Sequence, residues 1–322
     1  MTSLLPGHAR EHFFKGYFMD FSSLLIKMVI FAVLLIIGYC SAHRGMLSPA
    51  FARSASWLLL NVFLVSSIVS SVLGSRPELP AREVWMAMLV VSAGMIYLYA
   101  IAAICMKLDG SAQAPQTLIL MGAVNSLFVG LPVVQTVFGS EAVFYMGLSC
   151  IPFNILLYSY GVGCLKKGSG SSKVRIRDVI SAPLIAALVS LLIFILRIPM
   201  PRLITELFST VSAATVPLSM IVVGATLGPV SLKTAFSAKK ILLLSFIRLI
   251  AAPVLAYFLL KLFVQNEVLL LTTVVIIGCP SGAVNTPLSI QYGYDPAYAS
   301  EMIMVSTALS MITLPLLLFI LF

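Results

Sequence analysis

Gly122-Ala123-Val124-Asn125-Ser126-Leu127-Phe128-Val129-Gly130-Leu131-Pro132 and Gly278-Cys279-Pro280-Ser281-Gly282-Ala283-Val284-Asn285-Thr286-Pro287 interrupt two long apolar segments with small, polar and helix-breaking residues. In lipid a helix satisfies its own backbone groups. A break is tolerated only where it is buried in protein or lines a water-filled cavity. Two breaks at corresponding places in two halves of a chain point to a binding site at the bilayer midplane. Both stretches are therefore predicted to be broken helices that meet inside the protein.

The surrounding chain supports this. Of 322 residues, 60% are hydrophobic and 10% charged, with a mean hydropathy of +1.08. A soluble domain carries about 25% charged residues. Apolar runs near 20–41, 53–74, 83–106, 116–138, 142–165, 177–197, 204–228, 238–261, 267–291 and 298–321 predict ten spans, each about long enough for roughly 30 Å of hydrocarbon. The first twenty residues lack a signal-peptide apolar core and are expected to be retained.

Charge predicts orientation. The loops after the odd-numbered spans hold Arg44, Arg53, Lys107, Lys166, Lys167, Lys173, Arg175, Arg177, Lys233, Lys239 and Lys240 against Asp109, Asp178, Asp295 and Glu301. On the opposite side acids balance bases. The Lys/Arg excess places the first set in the cytoplasm and both termini outside a cell inner (plasma) membrane. The net charge of +9 then reads as basic cytoplasmic loops; the lipid bilayer is an expected partner and nucleic acid is not.

The basic stretch 166–176 divides the chain into 1–165 and 177–322, five spans each and of opposite orientation. Each half has its break in its fourth span. Asn125 and Pro132 are seven apart, as are Pro280 and Pro287. A turn-rich stretch follows each break, Phe138-Gly139-Ser140-Glu141 and Tyr292-Gly293-Tyr294-Asp295-Pro296. The expected fold is an all-α membrane protein built as two inverted five-helix repeats.

These residues resemble the auxin efflux carrier family, in its bacterial branch. The resemblance rests on Asn125 through Pro132 with Phe138-Gly139, and on Pro280-Ser281-Gly282 through Tyr292-Gly293-Tyr294-Asp295. It extends to Ser306 through Pro315, Val216-Pro217-Leu218-Ser219, Gly224 through Leu227 and Arg248 through Pro253. It implies an elevator-type carrier sharing its architecture with bile-acid sodium symporters. The first, second, sixth and seventh spans would be scaffold. Spans three to five and eight to ten would move, with the fourth and ninth crossing at Asn125 and Pro280. A homodimer is a further expectation of the resemblance. The chain departs from plant members at Val124, where they have Pro before the Asn, and at Ser66-Ser67, where a Pro is usual. It also lacks their mid-membrane carboxylate, so auxin itself is not the expected substrate.

A broken helix offers partial positive charge at the N-terminus of its second half and free carbonyls at the C-terminus of its first. Asn125, Ser126, Pro280, Ser281, Asn285 and Asn154 are the candidate substrate- or ion-binding residues, and Gly130, Pro132, Gly282 and Pro287 shape the breaks. Arg248, about ten residues into the eighth span, is a functional candidate because a guanidinium at that depth is costly. It would pair with an anion, cap carbonyls at a break or snorkel towards a polar region. Lys27, near the start of the first span, is expected to snorkel.

Other chemistry is disfavoured. His8, His12 and His43 lie outside or at the ends of spans, and Asp20, Asp109, Asp178 and Asp295 lie near ends. No serine–histidine pair, aspartyl dyad or metal cluster is therefore expected at depth. The five scattered cysteines show no metal or redox spacing. The expected function is secondary transport of a small organic anion, a mono- or dicarboxylate such as malate or malonate. Sodium-coupled symport of a bile-acid-like amphipathic acid is the alternative, and a non-transporting sensor or channel on the same fold is a third reading. No cofactor is expected beyond Na+ or H+ as a coupling ion.

Overall fold

Apolar runs this long leave the backbone one economical choice in lipid, which is to satisfy its own N–H and C=O groups in helices. The computed structural model describes residues 21–73, 81–169, 182–228 and 232–321. The expectations for the first twenty residues, for most of the basic stretch 166–176 and for the Lys27 side chain lie outside the described residues.

The chain runs through α1 (Phe21–His43), α2 (Ala50–Leu73), α3 (Ala81–Asp109), α4 (Ala114–Gly122) and α5 (Ser126–Phe138). It continues through α6 (Ser140–Lys167), α7 (Ala182–Leu196), α8 (Arg202–Leu227), α9 (Lys239–Lys261) and α10 (Glu267–Gly278). Last come α11 (Asn285–Gln291) and α12 (Pro296–Leu321). Six of these, α2, α3, α6, α8, α9 and α12, are long and apolar enough to cross a membrane. Leu, Ile, Phe and Trp side chains such as Trp57, Trp85, Leu89, Leu192 and Phe258 stand exposed on the outer surface, as a lipid-facing coat requires.

The ends follow local chemistry. Ser48 caps α2 by accepting from the Phe51 N–H at 3.1 Å, with Pro49 in the first turn. Asn266 does the same for α10 through the Leu269 N–H at 3.0 Å. Gly139 and Gly293, both at φ 73°, turn the chain between α5 and α6 and between α11 and α12.

Prolines perturb helices in both halves. Of the four described π turns, Leu59–Phe63 and Leu157–Gly161 have no proline just after them, but the other two, Ser126–Gly130 and Ile247–Ala251, each end two residues before one, Pro132 and Pro253. Proline has no N–H for the carbonyl four residues back, so the bonding register shifts there. One of these turns follows the first break, and the other carries Arg248.

Two sets of helices pack closely. The tightest crossing joins α1 to the C-terminal part of α8. A Cβ at Gly224 would lie 2.0 Å from the Leu35 carbonyl oxygen, and one at Gly38 would lie 2.1 Å from that of Ile221. Only glycine permits that approach, a common device where helices cannot rely on expelling water. α2 packs on α7 and α8, where Ser67, one of the two serines at the expected proline position, meets Ser212 at 3.0 Å and Thr215 at 2.8 Å. In the second set α3 packs on α4, α9 on α10, and α12 on α11 and α9. Its one described inter-element ion pair joins Asp109 at the end of α3 to Lys240 at the start of α9, at 2.6 Å.

The α1–α8 crossing generates a prediction. Gly224→Val drives methyl groups into main-chain atoms that cannot rotate away, and should destabilise by about 1–3 kcal/mol as overpacked interiors do. Gly163→Ala, where an added Cβ meets nothing within 4 Å, is the neutral control. Thermal unfolding in detergent measures both. Equal midpoints for Gly224→Val and the parent would contradict the close-approach account.

Candidate functional site

Both breaks open where the sequence places them, and they meet. α4 ends at Gly122 and the backbone turns extended at Ala123 (φ −83°, ψ 111°). α10 ends at Gly278 and does the same at Cys279 (φ −65°, ψ 149°). The freed segments pair as a short antiparallel bridge between Val124 and Ser281. The Asn125 N–H donates to the Pro280 carbonyl at 2.8 Å, and the Gly282 N–H to the Ala123 carbonyl at 2.8 Å. Each break supplies what the other lost. Gly130 and Gly282 permit this closeness: a Cβ on Gly130 would lie 2.5 Å from Cys279 Sγ, and one on Gly282 3.1 Å from the Val124 carbonyl oxygen.

Arg248 completes the crossing and is fully buried. Its Nε donates to the Cys279 carbonyl at 2.8 Å. Nη1 donates to the carbonyls of Leu120, at 2.8 Å, and Met121. Nη2 donates to those of Ala123 and Pro280, each at 3.2 Å. A guanidinium has five N–H groups, and all five are engaged by carbonyls at the ends of α4 and α10. Of the three roles open to Arg248 in the sequence, this geometry is that of a carbonyl cap, with no N–H left over.

The charges then arrange themselves. Each helix C-terminus carries about half a negative charge, and each N-terminus about half a positive one. The guanidinium offsets the two C-termini of α4 and α10. The N-terminus of α5 has no such counter-charge in its cap: Asn125 precedes it without capping it. Asn125 and Ser126 keep 8% and 5% exposure, and Leu127 is half-buried. By contrast Ser281 and Asn285 are fully enclosed.

The remaining candidates separate by role. The Ser281 N–H donates to Ser306 Oγ at 3.1 Å, its hydroxyl donates to the Leu120 carbonyl at 3.0 Å, and it accepts from Asn285 Nδ2 at 2.9 Å. Ser281 is thus spent on holding α11 and α12 to α4. Asn154 donates to the Cys150 carbonyl of its own helix at 2.7 Å and lies apart from the crossing bonds. Pro132 is buried in the first turns of α5, whereas Pro287 stands exposed on α11. The sequence alone does not single out Gln116, whose amide reaches Ser289 Oγ at 2.8 Å and the Asp295 carbonyl at 2.5 Å. An amide two residues into an apolar helix that leads to a break is the available signal. Among the described residues no group of three His, Cys, Asp or Glu side chains is placed to hold a metal ion.

Residues 23–318 match a family described as membrane transport protein. An uncharacterized transporter of Methanothermobacter thermautotrophicus is 28% identical over 88% of this chain and 94% of its own length. Another, from Methanocaldococcus jannaschii, is 24% identical over 90% of this chain and 96% of its own.

The capping geometry is testable without any ligand. Arg248→Lys keeps the charge but offers three donors in place of five. At least two of the five charge-assisted hydrogen bonds are lost, although the carbonyls of Leu120, Ala123 and Pro280 each keep another donor, so stability should fall by about 1–3 kcal/mol. The midpoint of thermal unfolding of the ligand-free protein reads this out. A residue that served only to bind substrate would leave that midpoint unchanged.

Proposed function

Because the chain belongs to the membrane transport protein family, that of the auxin efflux carriers, we propose that this multi-pass membrane protein is a secondary carrier of a small organic anion. Mono- and dicarboxylates of the size of malonate and malate are the substrate class. The observation that carries this reading is the saturation of Arg248 by five carbonyls. With the carbonyl ends of α4 and α10 already capped, the polar ends left at the crossing are the N-termini of α5 and α11, and that of α5 has the Asn125 amide beside it. Such an end favours a carboxylate.

In this proposal the chain crosses the bilayer ten times as two inverted five-helix repeats, with α4 and α5 as one broken span and α10 and α11 as the other. The close packing of α1 on α8 and of α2 on α7 and α8 supports a scaffold made of those four helices. The ties among α3, α4, α9, α10 and α12 support a second body that carries the crossing. Movement of that body past the scaffold would expose the Asn125 end to each side in turn, an elevator form of alternating access. The lysine and arginine excess of alternate loops supports termini on the outer side of the cell inner membrane. The resemblance of the motifs also supports a second copy of the chain as partner.

Asn125→Ala tests the proposal. It removes an amide that caps nothing, so the protein should fold with an unchanged unfolding midpoint. Uptake of radiolabelled malonate into proteoliposomes, driven by an imposed membrane potential, should fall to the level of empty liposomes. Uptake at the parent rate would remove Asn125 from the site and the crossing from the mechanism.

A further inference from the structure

α4 and α11 are joined by two polar rungs. Gln116 Nε2 bonds Ser289 Oγ at 2.8 Å, and the Ser281 hydroxyl, just ahead of α11, bonds the Leu120 carbonyl at 3.0 Å. Gln116 and Leu120 are four residues apart, so the rungs stand about 6 Å apart along α4. Asn285 falls midway between Ser281 and Ser289. Its side chain bonds Ser281 Oγ at 2.9 Å, and its carbonyl accepts from the Ser289 hydroxyl at 2.7 Å.

Most donors in this seam are committed. The hydroxyl protons of Ser281, Ser289 and Ser306 go to the carbonyls of Leu120, Asn285 and Met302. Both Gln116 amide protons go to Ser289 Oγ and the Asp295 carbonyl. Two acceptors are left over: Asn285 Oδ1 and Gln116 Oε1 are buried without a partner, in residues with no exposure. Reversing either amide does not help, because it would set an oxygen against the Asp295 carbonyl or against the lone pairs of Ser281 Oγ. A buried amide oxygen left bare is costly and calls for an unseen positive partner.

We propose that a small hard monovalent cation, with sodium as its probe, binds between these rungs, liganded by Asn285 Oδ1 and Gln116 Oε1. Neutral oxygen ligands suit a hard ion, and two amide oxygens that carry no formal charge favour a monovalent ion over a divalent one. Asp109 is held by Lys240, Thr117 and Ser111, and the Asp295 side chain by the Ala297 N–H. Arg248 shares the Leu120 carbonyl with Ser281, so its charge pushes the ion away from that rung and towards Gln116. Asn285 holds Ser281, and Ser281 is the bridge partner of Val124. An ion on Asn285 therefore braces the crossing at which Asn125 stands. Its coupling to anion movement rests on the carrier reading; its binding does not.

Thermal unfolding of the purified protein at constant ionic strength tests the site, with sodium exchanged for N-methyl-D-glucamine. A ligand of the folded state raises the midpoint in proportion to the logarithm of its concentration once above its Kd. Sodium should give that rise and N-methyl-D-glucamine none. Gln116→Leu and Asn285→Ala should abolish the rise, whereas Asn125→Ala should keep it. If Asn285→Ala does not fold, Gln116→Leu decides alone. The same response to both cations, or a sodium response that survives Gln116→Leu, overturns the site. A sodium-specific rise in a protein that moves no carboxylate would leave the cation site standing and remove the carrier reading instead.

Discussion

Everything at the centre of this protein depends on how two interrupted helices satisfy their backbones away from water. Each unpaired carbonyl or N–H in such a place costs about 1–3 kcal/mol, and two breaks expose several at once. The bridge between Val124 and Ser281 pairs the extended segments, and one guanidinium gathers five carbonyls from both sides. Glycines at 130 and 282 let the segments come close enough. None of these parts works alone, because the acceptors of Arg248 come from stretches more than a hundred residues apart in the chain.

That solution also sets the polarity of the crossing. Arg248 has no carboxylate partner among the described salt bridges; the helix C-termini take that part. A charge buried at such depth is normally taken as a ligand-binding group. Here its hydrogen bonds are spent on the fold, and its influence on a substrate would be indirect, through cancelling the negative ends and leaving the helix N-termini of the second halves, that of α5 with Asn125 beside it, to act. On the proposed reading, recognition then falls to backbone N–H groups and the Asn125 amide, while the acceptors of Asn285 and Gln116 look towards a cation.

Much of this is legible in the amino-acid sequence. The breaks announce themselves because glycine, proline and asparagine at the middle of an apolar run contradict the run around them, and both helices open at the glycine that begins each stretch, Gly122 and Gly278. The turns after the breaks are readable from the glycines at 139 and 293, whereas the second span, expected from 53, starts earlier behind the Ser48 cap. The pairing of the breaks follows from their matched positions, but the bridge register, Val124 on Ser281, is a three-dimensional fact. The sequence leaves Arg248 divided between ligand and cap because nothing in its neighbourhood along the chain says which carbonyls surround it. Gln116 sits near the start of its helix, where an amide reads as interfacial. Its partners Ser289 and Asp295 are over 170 residues away.

The most direct test is an experimental structure of the protein solved with malonate, at a resolution that shows the ligand and the Arg248 side chain together. The capped crossing predicts a carboxylate against the Asn125 amide and the first N–H groups of α5, with the guanidinium still holding the carbonyls of Leu120, Met121, Ala123, Cys279 and Pro280. A guanidinium released from those carbonyls and paired with the carboxylate, or a carboxylate bound away from the crossing, would contradict it.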